Sequence, residues 1–353
     1  LVPLSGAPND DRLADGAREG EIVARATTLA RDLANTPPGH LTATDMADVA
    51  LHVGAEAGVE VDVFEEQQLV DMGCGGLLGV NAASAEEPRM IQMQYTPEHT
   101  RVAEGGSVRS GHLALVGKGI TYDSGGISLK PADLTHLAMK MDMAGAGAIL
   151  AAMSVLNELH CTTTVTAYLM CTDNMPSGSA TKMGDVLTLR GGTTVEVKNT
   201  DAEGRLVMAD ALVLATEESP DAIVDVATLT GAAVTALGPK RAALFGTDDS
   251  LLAQVVASAE ETDEPVWILP LERAYREQLD SDIADISNLG GPHAGATTAA
   301  LFLAEFVDDI PWAHLDIAGT MSTDKDDGWH TKGATGFGTR LLIDLARNFV
   351  PVH

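Results

Sequence analysis

The chain has 353 residues, 51 Asp and Glu against 22 Lys and Arg, a formal net charge of −29, and 45% hydrophobic residues. At roughly 100–200 residues per domain this is one large or two ordinary domains, and a near-average composition excludes global disorder. The acidity argues against a protein that tracks nucleic-acid phosphates or docks on an anionic membrane, since both need a basic footprint.

The first twenty residues are polar and carry Gly and Pro, so residues 1–29 are expected to form a lead-in or linker and 30–353 one domain. The opening LVPLSGAPNDD has neither a basic stretch nor an apolar one, so no secretory signal is read there. Helical periodicity starts at Glu21 and is stopped by Pro37-Pro38-Gly39. A second helix is predicted over 44–57, with strands at 59–64, 89–95, 112–117, 162–170, 221–228, 242–246 and 312–319. Helices are predicted between them at 143–158, 204–217, 249–261, 296–308 and 335–348. Such alternation predicts an α/β fold, a mostly parallel central sheet sandwiched by helices, with its ligands at the carboxyl ends of the strands. The longest apolar run, Met143 to Leu156, is too short to span a membrane and reads as a core helix. Cys74, Cys161 and Cys171 form no CxxC pair, which favours structural thiols in a reduced, cytoplasmic protein.

Three segments that follow strands carry the chemistry. In Val116 to Lys130 a glycine-rich turn presents Lys118, Asp123 and Lys130, and the GxxxxGK[ST] order of a phosphate loop is absent. In Met139 to Gly145, Asp142 stands among methionines at a helix start, where a lone Asp is commonly an N-cap. In Asn199 to Arg205, an extended backbone would put Asp201, Glu203 and Arg205 on one side, ahead of a helix starting near Gly204. A solvated turn or a capping turn with an incidental ion pair explains each segment taken singly. Together they offer four carboxylates and three cations. Packed without metal, the carboxylates would raise one another's pKa values, whereas two divalent ions would neutralise them. Oxygen-rich ligation suits Mn, Mg or Zn. No HExxH pattern occurs, and His112, His160 and His314 in or beside strands are read as structural. The residues therefore point to a dinuclear, carboxylate-bridged metallohydrolase.

GKGITYDSGGISLKP, KMDMAGAGA, NTDAEGRLVMADAL, DVATLTGA, ISNLGGPHAGATTAALFLAEF and HLDIAGT closely resemble the leucyl (cytosol) aminopeptidase family of dinuclear metallopeptidases, from about Ala30 onward. The resemblance implies that Asp123 and Glu203 bridge two metals, that Asp201 completes the more exchangeable site, and that Lys118 and Asp142 complete the tighter one. A ligating Lys118 has to be neutral, so the metal and the two nearby cations would have to depress its pKa. Lys130 would stay charged and stabilise the oxyanion of the gem-diolate. Arg205 would hold a bicarbonate ion as general base. The implied S1 pocket comprises Met139, Thr228, Gly231, Ala318 and Met321, with Asn199 and Ala202 nearby, an apolar wall suited to Leu, Met or other hydrophobic P1 residues.

The expected function is thus removal of the N-terminal residue from peptides by a metalloprotease with two divalent ions, Mn2+ or Zn2+ with Mg2+ or Co2+ as alternatives. A homohexamer is implied by resemblance. Two rivals remain: a dinuclear phosphoesterase, and a non-catalytic, DNA-binding member of the family, which the acidity disfavours. Only about thirty residues precede the match where the family carries a separate α/β domain, so a truncated, processed or naturally short form is expected. The interval from Lys130 to Asp142 is twelve positions, one more than the resemblance implies, and it contains His136, so a bulged loop is expected there. The acidic stretch from Met321 to Trp329, beside the pocket, is expected to move.

Overall fold

The computed structural model describes residues 10–97, 102–103, 106–107 and 111–352. Its main sheet has eight strands in the order Glu60–Phe64, Arg89–Tyr95, Thr164–Asn174, His112–Asp123, Ala222–Ala227, Trp312–Asp316, Ala242–Gly246 and Val266–Ile268. The four central strands run parallel. Antiparallel pairing is confined to the two strands on the Glu60 side and to the Trp312–Asp316/Ala242–Gly246 pair, so the sheet is mixed around a parallel centre.

Both faces are covered, which is why the central strands are apolar without alternation. Leu113 and Leu115 face a layer that includes helices Ala144–Met153 and Thr339–Asn348, while Ala114 and Val116 face helix Gly204–Glu217. The first of these helices lies unusually close to the sheet. A Cβ on Gly145 would come within 2.1 Å of the Val226 carbonyl oxygen, and one on Gly117 within 2.8 Å of the Ala146 Cα. Small residues here let Asp142, just ahead of the helix, reach the strand ends.

Three expectations are corrected. Helix Asp10–Asn35 begins eleven residues before Glu21. Its first described side chains, residues 12–21, are exposed and offer no apolar stripe to read, whereas Ile22, Ala26, Ala30 and Leu33 enter the core. The boundary placed between 29 and 30 therefore falls inside one helix, and residues 1–9 of the expected lead-in lie outside the described residues. The strand predicted to end at 117 continues to Asp123, with Lys118 paired to Met170 in the ladder, so Lys118 is a strand residue. The Asn199–Arg205 segment is not extended: the Ala202 N–H donates to the Asn199 carbonyl and Glu203 is already in the right-handed helical region.

Two short helices and a small sheet carry no clear pattern in the sequence. Gly75–Asn81 packs beside helix Gly204–Glu217 with Glu66–Asp71 against it, and the sheet Ile286–Ser287, Thr194–Glu196, Val186–Thr188 leads into the Asn199 turn. Among the described residues no helix is long and apolar enough to cross a membrane. All three cysteines are free and buried.

Candidate metal centre

The three segments converge at the carboxyl ends of the central strands. Asp123 is the last residue of its strand and is buried. Its Oδ1 accepts from the Gly125 N–H and from Asn174 Nδ2, both at 2.8 Å. Asn174 also donates to the Thr200 carbonyl at 3.0 Å, tying the first segment to the third. Gly125 and Gly126 turn the chain at φ +89° and +65°, a region costly for other residues, and return Lys130 over the strand end.

Lys118 Nζ stands 2.8 Å from Asp142 Oδ2 and 2.8 Å from Glu203 Oε1, and it donates to Asp142 Oδ1 and the Thr228 carbonyl at 2.9 Å. Lys130 Nζ lies 2.7 Å from Asp123 Oδ2 and 2.5 Å from Asp201 Oδ1. Asp142 is not the N-cap: the residue before the helix is Met143, and the Asp142 carboxylate instead accepts from Thr228 Oγ1 at 2.6 Å. Its Oδ2 is close to Lys118 but lacks hydrogen-bond geometry, leaving a buried acceptor available.

The electrostatics are those of crowded acids. Burial, followed by the Asp123 charge, pushes Glu203 up to about 8. Burial outweighs Lys118 and lifts Asp142 to about 6, and burial raises Asp201 as well. Burial pulls both lysines down, but the carboxylates overcome it and hold Lys118 and Lys130 above the usual lysine range. The depression expected of a ligating Lys118 is one that a bound metal would have to supply. The carboxylates alone keep its proton, so ligation through Nζ requires that proton to leave.

One oxygen from each of Asp123, Asp201 and Glu203 lies within 4.8 Å of the others. Added positive charge would relieve the upward shifts, and an oxygen-rich set with one amine suits a hard or borderline divalent ion. The residues present therefore fit divalent metal.

Arg205, in the first turn of helix Gly204–Glu217, is 6% exposed. Its Nε and Nη1 are buried without a hydrogen-bond partner. Burial pushes the guanidinium down to about 10 despite the nearby Glu203 and Asp316 charges.

Of the expected pocket positions, Thr228 touches the cluster, through its carbonyl to Lys118 and its Oγ1 to Asp142. Met139 opens a short 3-10 turn before Asp142, and Gly231 opens helix Gly231–Leu237. Asn288 Nδ2 donates to the carbonyls of Asn199 and Ala202. Asp316 Oδ1 accepts from the N–H groups of Leu229, Thr230 and Ala318 at 3.1, 3.4 and 3.2 Å, joining the Thr228–Gly231 and Ala318–Met321 walls. Met321 packs on the core. Asn174, Asp316 and Asn288 escaped the sequence reading. Asn174 had a signal, a polar residue closing an apolar strand where ligands are expected. The acidic stretch starts from a short hairpin pairing, Ser322 and Thr323 with Ala334 and Gly333, and Arg340 stacks on Trp329 at 4.0 Å. Of the histidines, His314 is fully buried against Asp225 at 2.5 Å and His112 contacts Thr166, while His160 closes a turn at φ 53°.

A family model described as the cytosol aminopeptidase family, catalytic domain, matches residues 28–343. The chain belongs to the cytosol aminopeptidase family. Among its relatives, the probable cytosol aminopeptidase of Chlorobaculum tepidum is 47% identical over 336 residues, which is 95% of this chain and 65% of that protein. That of Streptomyces avermitilis is 47% identical over 348 residues, 98% of this chain and 66% of the relative. The chain thus spans just under two thirds of the length of these cytosol aminopeptidases. A solved structure described as the bottromycin maturation enzyme BotP in complex with Mn is 41% identical with a TM-score of 0.89, covering 98% of this chain and 76% of that one.

Proposed function

We propose that this cytosol aminopeptidase domain removes N-terminal residues from peptides with the help of two divalent metals. The observation that carries the reading is the convergence of Asp123, Asp142, Asp201 and Glu203 with Lys118 and Lys130 at the strand ends. Asp123 and Glu203 would bridge the ions, with Asp201 on one side and Lys118 and Asp142 on the other. When bound, such ions supply an activated water and polarise a carbonyl. Manganese or zinc suits the donors, and the relative described with Mn supports the former.

The protein's own groups do the rest. Lys130, charged and held by Asp123 and Asp201, would donate to the carbonyl oxygen as negative charge grows on it. Arg205 has two unpartnered donors and suits a planar anion. Bicarbonate held there would take the proton from the attacking water, a role no side chain of the cluster is free to fill. The walls around Met139, Thr228, Gly231, Ala318 and Met321 would receive an apolar P1 side chain, with Asn199 and Ala202 beside it. A homohexamer, with peptides as the only partners and the cytoplasm as the place, is proposed on family likeness, and sedimentation tests the assembly.

The deciding experiment is a rate panel of aminoacyl anilides before and after chelation, with Mn, Zn, Mg and Co restored separately. Leucyl and methionyl anilides should lead, and activity should return with metal. Hydrolysis of nitrophenyl phosphate without anilide cleavage would make the protein a phosphoesterase. Neither activity with metals bound would make it a binding protein.

A further inference from the structure

Lys130 emerges from a loop that has little else to hold it. Residues 131–135 and Leu137 are exposed, Leu134 and Leu137 by 79% and 70%. Bonds inside the loop are local, from the Asp133 N–H to the Pro131 carbonyl and from the Thr135 N–H to the Asp133 carboxylate. Apart from those of Lys130 itself, the side-chain hydrogen bonds that leave the segment 131–138 among the described residues are those of His136. Its Nε2 lies 3.1 Å from the Lys130 carbonyl oxygen and its Nδ1 2.9 Å from Tyr122 Oη. The Tyr122 and His136 rings also stack, 6.2 Å apart at 22°.

The chemistry of the two contacts assigns the tautomer. A carbonyl oxygen only accepts, so Nε2 carries the hydrogen, and the lone pair of Nδ1 accepts from the Tyr122 O–H. Tyr122 belongs to the strand that ends at Asp123, at a register irregularity between the paired Ile120 and Asp123. The Lys130 N–H meanwhile donates to the Ser124 carbonyl at 2.9 Å. Both main-chain polar groups of Lys130 are thus engaged, and Pro131 further restricts its backbone. The interval to Asp142 that looked one residue too long holds a short helix, Thr135–Ala138, which turns His136 back onto Lys130.

We propose that His136 is a positioning residue for Lys130, clamping the Lys130 carbonyl to Tyr122 at the strand end so that the ammonium stands where charge develops. The inference rests on the oxyanion role of Lys130 proposed above. The loop is exposed, so cutting the clamp frees a carbonyl to water and leaves the fold intact, but it loosens the lysine.

The test uses metal-loaded protein, with metal content and melting temperature checked, and the variants His136→Ala, His136→Gln, Tyr122→Phe, Lys130→Ala and the His136→Ala/Lys130→Ala double. Misplacement of a reacting group by about 1 Å can cost up to ~10²-fold, so His136→Ala should lower kcat about tenfold with KM nearly unchanged. Calorimetry should show a tetrahedral α-aminophosphonate binding about tenfold more weakly, because it mimics the charged state that Lys130 meets. His136→Gln, which restores a donor to the carbonyl, should recover most of both losses, and Tyr122→Phe should show a smaller one. In the Lys130→Ala background, His136→Ala should do nothing further. A kcat unchanged in His136→Ala, or an equal loss in both backgrounds, overturns the clamp while Lys130 keeps its role. An unaffected kcat in Lys130→Ala overturns the Lys130 reading itself, and the clamp with it.

Discussion

Replacing Arg205 by methionine should make this protein more stable and less active. The guanidinium is 6% exposed, and two of its donors, Nε and Nη1, meet no acceptor. An unsatisfied buried polar group costs about 1–3 kcal/mol, and a buried charge more. Attraction to Glu203 and Asp316 offsets part of that. Methionine fills a similar volume, keeps a flexible chain and removes both donors, so Arg205→Met should gain about 1–3 kcal/mol in carbonate-free buffer by the same figures. For a chain of this size the gain is roughly a few degrees in Tm. Thermal melts of metal-loaded protein, with and without bicarbonate, provide the assay. Bicarbonate should raise the Tm and the anilide rate of the parent protein and do neither for Arg205→Met. The reasoning is refuted if Arg205→Met melts lower than the parent in carbonate-free buffer, because the guanidinium would then be well partnered. Equal bicarbonate stimulation of both proteins would place the anion elsewhere.

Elemental analysis should find both metals lost from Asp123→Ala and Glu203→Ala, whereas Asp201→Ala should keep one; two ions per chain in Glu203→Ala would sink the bridging assignment. Thr228→Val removes the 2.6 Å donor to Asp142 Oδ1 and should weaken metal affinity about tenfold in competition titrations, with P1 preference unchanged. A changed preference at full metal affinity would instead make Thr228 a pocket residue alone. Burial lifts Glu264 up to about 7, from an ordinary 4.5, even though it accepts from the Leu341 N–H and faces Arg340. Its folded state holds a proton that the unfolded chain releases, so this contribution is complete below pH 4.5 and is lost as pH rises through 7, about 3 kcal/mol in all. Urea midpoints of Glu264→Gln should accordingly fall less between pH 5 and 7 than those of the parent, and parallel slopes would refute the shift.

Much of the molecule was legible from local pattern. Helices Gly204–Glu217 and Asp249–Glu261 and strand Arg89–Tyr95 stand where periodicity and turn residues put them, because their apolar faces are written in neighbouring positions. The start of helix Asp10–Asn35 was not legible, since its solvent-facing first turns bury nothing that marks a period. Lys118 reads as a loop residue for a related reason. A strand buried on both faces has no alternation, so a lysine among glycines looks like its end, when ladder bonds to the Thr164–Asn174 strand continue past it.

The amino-acid order determined by itself which chemical groups are available: four carboxylates, two lysines and an arginine, in motifs that name a family. Only the tertiary structure decided how they meet. Asp123 and Asp201 are 78 positions apart and share Lys130, while Lys118 joins Asp142 to Glu203 across three elements. Those pairings depend on a glycine-lined helix seated against the sheet, on Asn174 tying two turns together, and on His136 folding back to Lys130. Such contacts join residues distant in sequence, and their energies come from burial and from charge in a low-dielectric interior. Neither quantity exists until the chain has packed.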